Sequence, residues 1–165
     1  MDAKQLIHFP IFDGSIANNV DLTPSSIPWT QDDQVEYQGK PSIRAPFVQG
    51  QHFTIHFDNA LNTARYQWLE FAVYTDRPDL LFQINIDARD WPTNEHTYNA
   101  QLLRSCGYFD GGTVAPEQWT RVRIPLSEFA ASEVLLGNFV WYFTEENPQS
   151  FTIYLSDIKL TGVAQ

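Results

Sequence analysis

The feature of this sequence that most constrains its fold is the regular alternation of apolar and polar side chains over short segments. In the segment 51–57, the apolar residues Phe53, Ile55 and Phe57 alternate with two histidines and a threonine. A period of two residues places these three side chains on one face of a β-strand. Helical periodicity is almost absent from the rest of the chain. The sequence therefore predicts a protein built from half-buried strands.

Nine segments show strand character of this kind. They are Leu6–Phe12, Ser42–Phe47, Gln51–Phe57, Trp68–Thr75, Leu80–Asp87, Tyr98–Ser105, 119–126, Asn138–Thr144 and Phe151–Leu160. One segment, Pro125–Glu133, is helix-like over a turn or two. Turn-forming Pro, Gly, Asn and Asp residues separate the strands, and such spacing is typical of an all-β sandwich or jelly roll of two antiparallel sheets. With no repeat or linker, residues 1–165 are predicted to form one domain with its core between about residues 6 and 160.

The composition excludes several classes of function. Of the 165 residues 43% are hydrophobic, so the chain can form a core and is not intrinsically disordered. The net charge of −10 repels phosphate backbones and anionic lipids, so neither nucleic acid nor a membrane is expected as a partner. No apolar run reaches the roughly 18 residues of a transmembrane helix. A lone cysteine, Cys106, excludes an internal disulfide.

A hairpin is predicted where the segment 76–79, Asp-Arg-Pro-Asp, joins two candidate strands. If Thr75 lies opposite Leu80, the outward positions of the two strands become cross-strand neighbours about 5 Å apart. The predicted patch then contains Trp68, Glu70, Ala72, Tyr74, Leu81, Gln83, Asn85 and Asp87. Two aromatic rings beside two amides and two carboxylates are unusual on a solvated sheet face.

This combination favours sugar binding, because sugar C–H faces stack on aromatic rings while hydroxyl groups need fixed donors and acceptors. Aromatic residues in loops and polar groups near the predicted patch are further candidates for contact with a sugar. In the segment 138–144, either Trp141 or Tyr142 faces the binding side. The candidate carbohydrate-binding residues are Trp29, Trp68, Tyr74, Gln83, Asn85, Asp87, Arg89, Trp91, Trp141 and Tyr142. The alternative for Trp68 and Tyr74 is burial under a loop or under the N-terminal segment. For Trp29 and Trp91 the alternative is a role as loop anchors.

Catalysis has little support in the sequence, and no enzymatic activity is expected. A glycosidase needs two carboxylates at a defined separation, and no compact strand motif supplies them. His52 and His56 are four strand residues apart, about 13 Å, which is too far to share one metal ion. Nucleophile-elbow, phosphate-loop and dinucleotide motifs are absent.

A structural calcium ion is a further expectation from the sequence. Asp13 ends the first strand, and Asp157 interrupts the last one, where the apolar phase shifts from Ile153 and Leu155 to Ile158. A phase shift of this kind implies a β-bulge. If the two chain ends meet, both carboxylates could bind calcium through oxygen ligands. The alternative is that Asp157 bonds backbone amides without a metal.

Four segments resemble carbohydrate-binding modules of the galactose-binding-domain-like jelly-roll type, as appended to bacterial glycoside hydrolases. They are Ile-Phe-Asp-Gly at 11–14, Gln38–Ala45, Trp119–Phe129 and Phe151–Leu160. The resemblance implies two antiparallel sheets, a concave glycan-binding face with aromatic residues, and often a buried calcium ion. Members of the family usually carry Asp one place before Asp157, where this chain has Ser156.

The leading hypothesis is a non-catalytic module that holds a soluble plant-cell-wall polysaccharide of the β-glucan type on its concave face. Its role is to raise the local concentration of an attached enzyme, as part of a larger multidomain, secreted protein. The alternative is a stand-alone lectin-like domain or a β-sandwich that binds another protein.

Overall fold

The computed structural model describes residues 4–48, 50–77, 82–90, 94–102, 107–112, 114–129, 135–143 and 150–164, excluding the side chains of 82, 87–90, 94–102 and 143. Within these ranges the chain forms eleven strands. In chain order they are β1 Leu6–Phe12, β2 Val20–Asp21, β3 Thr30–Tyr37, β4 Lys40–Phe47, β5 His52–Asn62, β6 Trp68–Thr75, β7 Phe82–Asp90, β8 Asn94–Leu102, β9 Thr120–Pro125, β10 Leu135–Phe143 and β11 Phe151–Val163.

The strands form two antiparallel sheets, which confirms the predicted all-β sandwich. A six-stranded sheet has the order β3-β4-β11-β6-β9, and β1 also pairs with β11. A five-stranded sheet has the order β2-β5-β10-β7-β8. The described helical segments are 3-10 turns of three or four residues, one of them Leu126–Phe129 inside the helix-like segment. No helix in these ranges is long and apolar enough to cross a membrane.

The core lies between the inward faces of the two sheets and is rich in aromatic residues. The ring centroids of Phe71 on β6 and Trp141 on β10 are 5.7 Å apart, across the interface between the sheets. Phe53 on β5 also packs edge-on against Trp141, at 5.7 Å. These side chains are 0% exposed. Burial of such large apolar side chains is the main force that holds two sheets face to face.

The bulge expected in the last strand is present. The pairing of β11 with β6 shifts register between Ser156 and Lys159, and Asp157 has a φ of 46°. Leu155 and Ser156 are consecutive buried residues at this point, after which burial alternates in the opposite phase. The extra residue therefore keeps both halves of an apolar strand facing the core.

The predicted hairpin between β6 and β7 is wrong. Strand β6 pairs with β11 and β9 in the six-stranded sheet, whereas β7 pairs with β10 and β8 in the five-stranded sheet. The inward faces were assigned correctly, since Phe71 and Ile84 are both buried. Alternation defines which side chains face the core, but a short connection can lead either to a neighbouring strand or to the facing sheet. Here it leads to the facing sheet.

Of the two residues between which the segment 138–144 left the choice open, Tyr142 faces outward, and the candidate Trp141 is therefore excluded from the binding face. Trp141 is 0% exposed, whereas its neighbour Tyr142 is 36% exposed. Both faces of this strand are apolar or aromatic, so the sequence does not show which of the two residues faces the core. The larger indole fills the core against Phe53 and Phe71.

Substitution of these two neighbours by alanine should therefore have opposite consequences for stability. Trp141→Ala leaves a large cavity and should lower the free energy of unfolding by about 3–5 kcal/mol. Tyr142→Ala removes an exposed ring and should cost about 1 kcal/mol or less. Urea denaturation of both variants measures the difference. Equal losses of stability would contradict the assignment of Trp141 to the core.

Candidate functional site

The outer face of the five-stranded sheet carries polar rings, amides and hydroxyl groups in rows. Strand β10 lies between β5 and β7 and sets the register on both sides. The residue positions form three cross-strand rows, His52–Tyr142–Gln83, Thr54–Val140–Asn85 and His56–Asn138–Asp87. Neighbours in a row are about 5 Å apart. A ligand lying on this face would meet several of these groups at once.

Hydrogen bonds within the face orient the two histidines. Nδ1 of His56 lies 2.7 Å from Oδ1 of Asn138, and Nδ1 of His52 lies 2.8 Å from Oγ1 of Thr54. Because the Asn138 oxygen can only accept, Nδ1 of His56 is the donor in this hydrogen bond. The imidazoles are therefore held in fixed directions before any ligand arrives.

Tyr142 supplies an aromatic surface on the same face. Its ring centroid lies 5.9 Å from that of His52. Beside it, Gln83 donates from Nε2 to Oδ1 of Asn85 at 2.8 Å. A shallow depression of about 380 Å³ lies over β5 and β10, lined by Pro24, His52, Thr54, His56, Asn138, Val140 and Tyr142. The depression combines one aromatic ring with hydrogen-bonding groups of both kinds.

A carboxylate lies at the edge of this face. Asp21 on β2 is the register partner of His56. The backbone N–H and the hydroxyl of Thr23 donate to its carboxylate at 2.8 and 2.9 Å. These hydrogen bonds, followed by the charge of His56, lower the pKa of Asp21, so this carboxylate remains ionised in mildly acidic solution.

The predicted patch is divided between the two sides of the sandwich. Gln83 and Asn85 belong to the outer face of the five-stranded sheet, while Trp68 and Tyr74 belong to the outer face of the six-stranded sheet. Tyr74 packs against the rings of Trp119 and Tyr154, with centroids 5.6 and 5.8 Å away. One short ligand cannot contact both halves of the predicted patch.

The remaining predicted site residues fall in different places. Trp29 is partly buried against the core, and its indole N–H donates to the carbonyl of Leu22 at 3.1 Å, as expected for a loop anchor. The backbone of Asp87 pairs with Asn138, and that of Arg89 pairs with Leu135. The side chains of Asp87 and Arg89, and the whole of Trp91, lie outside the described part of the structure.

Five residues of these rows were not proposed from the sequence, and His52, His56 and Asn138 are the most important of them for hydrogen bonding. The alternation in β5 already placed both histidines opposite Phe53, Ile55 and Phe57. Their importance was missed because the predicted hairpin assigned β7 to β6. The pairing of β7 with β10, and of β10 with β5, brings the histidines to the amides.

The two carboxylates predicted to bind calcium lie where the chain ends meet, but each has a cationic partner. Phe12 pairs with Ile158, which brings Asp13 to the same region as Asp157. Lys40 Nζ lies 2.5 Å from Asp13 Oδ1, whereas Arg121 Nη1 and Lys159 Nζ lie 2.6 and 3.2 Å from Asp157 Oδ2. These ion pairs do not fit a calcium site, because ammonium and guanidinium groups already neutralise the carboxylates.

Arg121 is a fixed cation in this cluster. Burial would lower its pKa, but Tyr37 and Asp157 together outweigh burial and raise the pKa above its ordinary value. Among the described residues, no group of three or more His, Cys, Asp or Glu side chains could hold a metal ion. The calcium ion remains a prediction from the sequence, and the described contacts argue against it.

Comparison with solved structures identifies the fold. The chain aligns with a family 30 carbohydrate-binding module at a TM-score of 0.69 and 20% sequence identity, over 98% of this chain and 91% of the module. It has the fold of a carbohydrate-binding module. A family 11 module from Clostridium thermocellum, solved with a β-1,3-1,4-mixed-linked tetrasaccharide, aligns at a TM-score of 0.65 and 9% identity, over 96% of this chain and 97% of the module.

The same fold also occurs within a larger enzyme. A β-1,2-glucanase from Parabacteroides distasonis aligns at a TM-score of 0.62 and 19% identity, over 92% of this chain and 25% of the enzyme. No family model matches the chain, and no curated protein matches it in sequence. The resemblance to carbohydrate-binding modules is thus confirmed at the level of the fold.

From the ion pairs around Asp13 and Asp157 we expect the thermal stability of the protein to be independent of calcium. A calcium ion bound to the native state alone would stabilise it by mass action. Because Lys40, Arg121 and Lys159 neutralise these carboxylates, the melting temperature should be the same in EDTA and in millimolar calcium. Calorimetry in both buffers measures it. A melting temperature that rises with calcium, and no longer does so in Asp157→Asn, would restore the calcium site.

Proposed function

We propose that this chain is a non-catalytic carbohydrate-binding module that holds a soluble polysaccharide chain on the outer face of the five-stranded sheet. The observation that carries the proposal is the set of aligned rows of imidazole, amide and hydroxyl groups beside the exposed ring of Tyr142. We assign to this face the glycan-binding role that the family resemblance implies.

The chemistry of the face matches that of a neutral sugar. Each sugar hydroxyl can donate and accept, so a binding surface needs both kinds of group in fixed directions. The Gln83 and Asn85 amides provide both kinds, and the His56 ring adds a further hydrogen-bonding nitrogen. Tyr142 provides a surface on which the C–H face of a sugar ring can stack. Because hydrogen bonds among these groups already hold the side chains in place, binding costs less side-chain conformational entropy.

The dimensions of the face favour a chain of several sugar units over a single terminal sugar. The positions of Asn138 and Tyr142 are four strand residues apart, about 13 Å, and the three strands span about 10 Å across. The depression is open and shallow. An extended polymer can lie along such a surface, whereas a terminal sugar is usually held in an enclosed pocket.

The structural neighbours and the chemistry of the face support a proposal for the ligand and for the setting. A family 11 module of the same fold was solved with a β-1,3-1,4-mixed-linked tetrasaccharide, so we assign a β-glucan-like, plant-cell-wall polysaccharide as the ligand. A β-1,2-glucanase contains the same fold in one quarter of its length. We therefore assign the chain to a larger secreted enzyme, which it directs to its polysaccharide by raising the local concentration.

Substitutions on this face should weaken polymer binding without unfolding the domain. Loss of a hydrogen bond or a stacking ring typically costs about 1–3 kcal/mol, which is roughly tenfold or more in affinity. We expect Gln83→Ala and Tyr142→Ala each to reduce retardation in native gels that contain mixed-linked β-1,3-1,4-glucan by about that factor. Assays for new reducing ends on the same polymer should remain negative.

Tyr154→Ala is the matched control, because it removes a tyrosine from the outer face of the opposite sheet. It should leave retardation unchanged. If Tyr154→Ala abolishes retardation while Gln83→Ala and Tyr142→Ala do not, the binding face has been assigned to the wrong sheet. If the wild-type chain is not retarded by any glucan or xylan, the proposed function itself is wrong.

A further inference from the structure

The outer face of the six-stranded sheet contains a second, chemically different groove. Two adjacent depressions, of about 540 and 410 Å³, share the residues Trp68, Glu70 and Arg123. Tyr108 and Asp110 also line the larger one. The groove is on the side of the sandwich opposite to Tyr142, so it is separate from the proposed polysaccharide face.

Arg123 is the central residue of this groove. Its guanidinium carbon lies 3.8 Å from the centre of the Trp68 ring, and its side chain is exposed. The guanidinium forms no hydrogen bond and no ion pair with any residue that the structure describes. Stacking on the indole holds the planar group in place, while its N–H edge remains available.

The other charged groups of the groove floor are already paired. The carboxylate of Glu70, which is opposite Arg123 in register, accepts from Oγ1 of Thr161 at 2.5 Å and lies 3.7 Å from Nη2 of Arg121. Arg121 and Lys159 both contact Asp157. Arg123 is therefore the cation that has no anionic partner within the described part of this cluster.

We propose that this groove is a second saccharide site, which binds a sugar bearing a single carboxylate, that is, a uronic acid residue. A guanidinium edge binds a carboxylate through two parallel hydrogen bonds. Trp68 positions Arg123, and Glu70 and Asp110 accept hydrogen bonds from the hydroxyl groups of the same sugar. The site goes beyond the proposed polysaccharide face and does not depend on it.

The chemistry of the walls favours a singly charged sugar over an acidic peptide. Glu70 and Asp110 line the same groove as Arg123. They would repel a ligand with several negative charges, and the net charge of −10 would add to this repulsion. A sugar ring with one carboxylate satisfies Arg123 and presents hydroxyl groups to the acidic residues.

A matched pair of ligands tests the proposal. The first is a xylo-oligosaccharide that carries one glucuronic acid, and the second is the same compound with its carboxylate reduced to an alcohol. Calorimetric titrations are made on the Gln83→Ala/Tyr142→Ala variant, in which the proposed polysaccharide face is disabled. We expect the carboxylated ligand to bind at least tenfold more tightly than the reduced one, with an affinity that falls as salt increases.

Substitutions in the groove localise the binding. Arg123→Ala should weaken binding of the carboxylated ligand about tenfold or more, and Arg123→Lys should restore it only in part, because an ammonium lacks the planar edge. Arg44→Ala, on strand β4 of the same sheet, is the control and should bind as the parent does.

Three results would overturn the site. They are equal affinities for the two ligands, no effect of Arg123→Ala, and binding of a polyglutamate peptide as tightly as the uronic acid ligand. None of them bears on the proposed polysaccharide face, since a failure there is measured with neutral glucan on the wild-type chain.

Discussion

The contact of Phe71 with Trp141 across the sandwich sets the arrangement of everything else in this molecule. It fixes β6 in one sheet and β10 in the facing sheet, with these two side chains turned inward. Because strands alternate, the residues next to them, such as Tyr142, must then point outward. The surface chemistry of each side follows from which aromatic side chain fills the core.

The two outer faces that result differ in chemistry. On the five-stranded sheet the described groups are mainly amides, hydroxyls and imidazoles, which suit a neutral ligand that donates and accepts hydrogen bonds. On the six-stranded sheet the described groups form ion pairs around Asp157, with Arg123 left unpaired over Trp68. The sandwich thus presents two surfaces of different chemistry on its opposite sides.

Much of the fold could be predicted from the sequence because alternation reports which side chains are buried. The first strand, Leu6–Phe12, was predicted with its observed bounds, and the bulge at Asp157 was visible as a phase shift. Strand β3 was missed because it is a polar edge strand in which no side chain is fully buried. Its sequence therefore lacks the apolar period.

The candidate site was only partly predictable, because no local sequence pattern shows which strands pair with one another or to which sheet a strand belongs. Gln83 and Asn85 alternate with the buried Ile84 and Ile86 as predicted, but their neighbours were assigned to the wrong strand. The choice between Trp141 and Tyr142 depended on the volume available in the core, which no local pattern encodes. Residues from distant parts of the chain, such as His56 and Asn138, become neighbours only when the sheet is assembled.

The most direct test of the account is a map of backbone amide shifts by NMR during titration with a mixed-linked glucan oligosaccharide. The account predicts that the shifted amides lie in β5, β7 and β10, with His52, Gln83 and Tyr142 among them, while amides of β6 and β9 remain in place. Shifts concentrated around Trp68 and Tyr74 would contradict it.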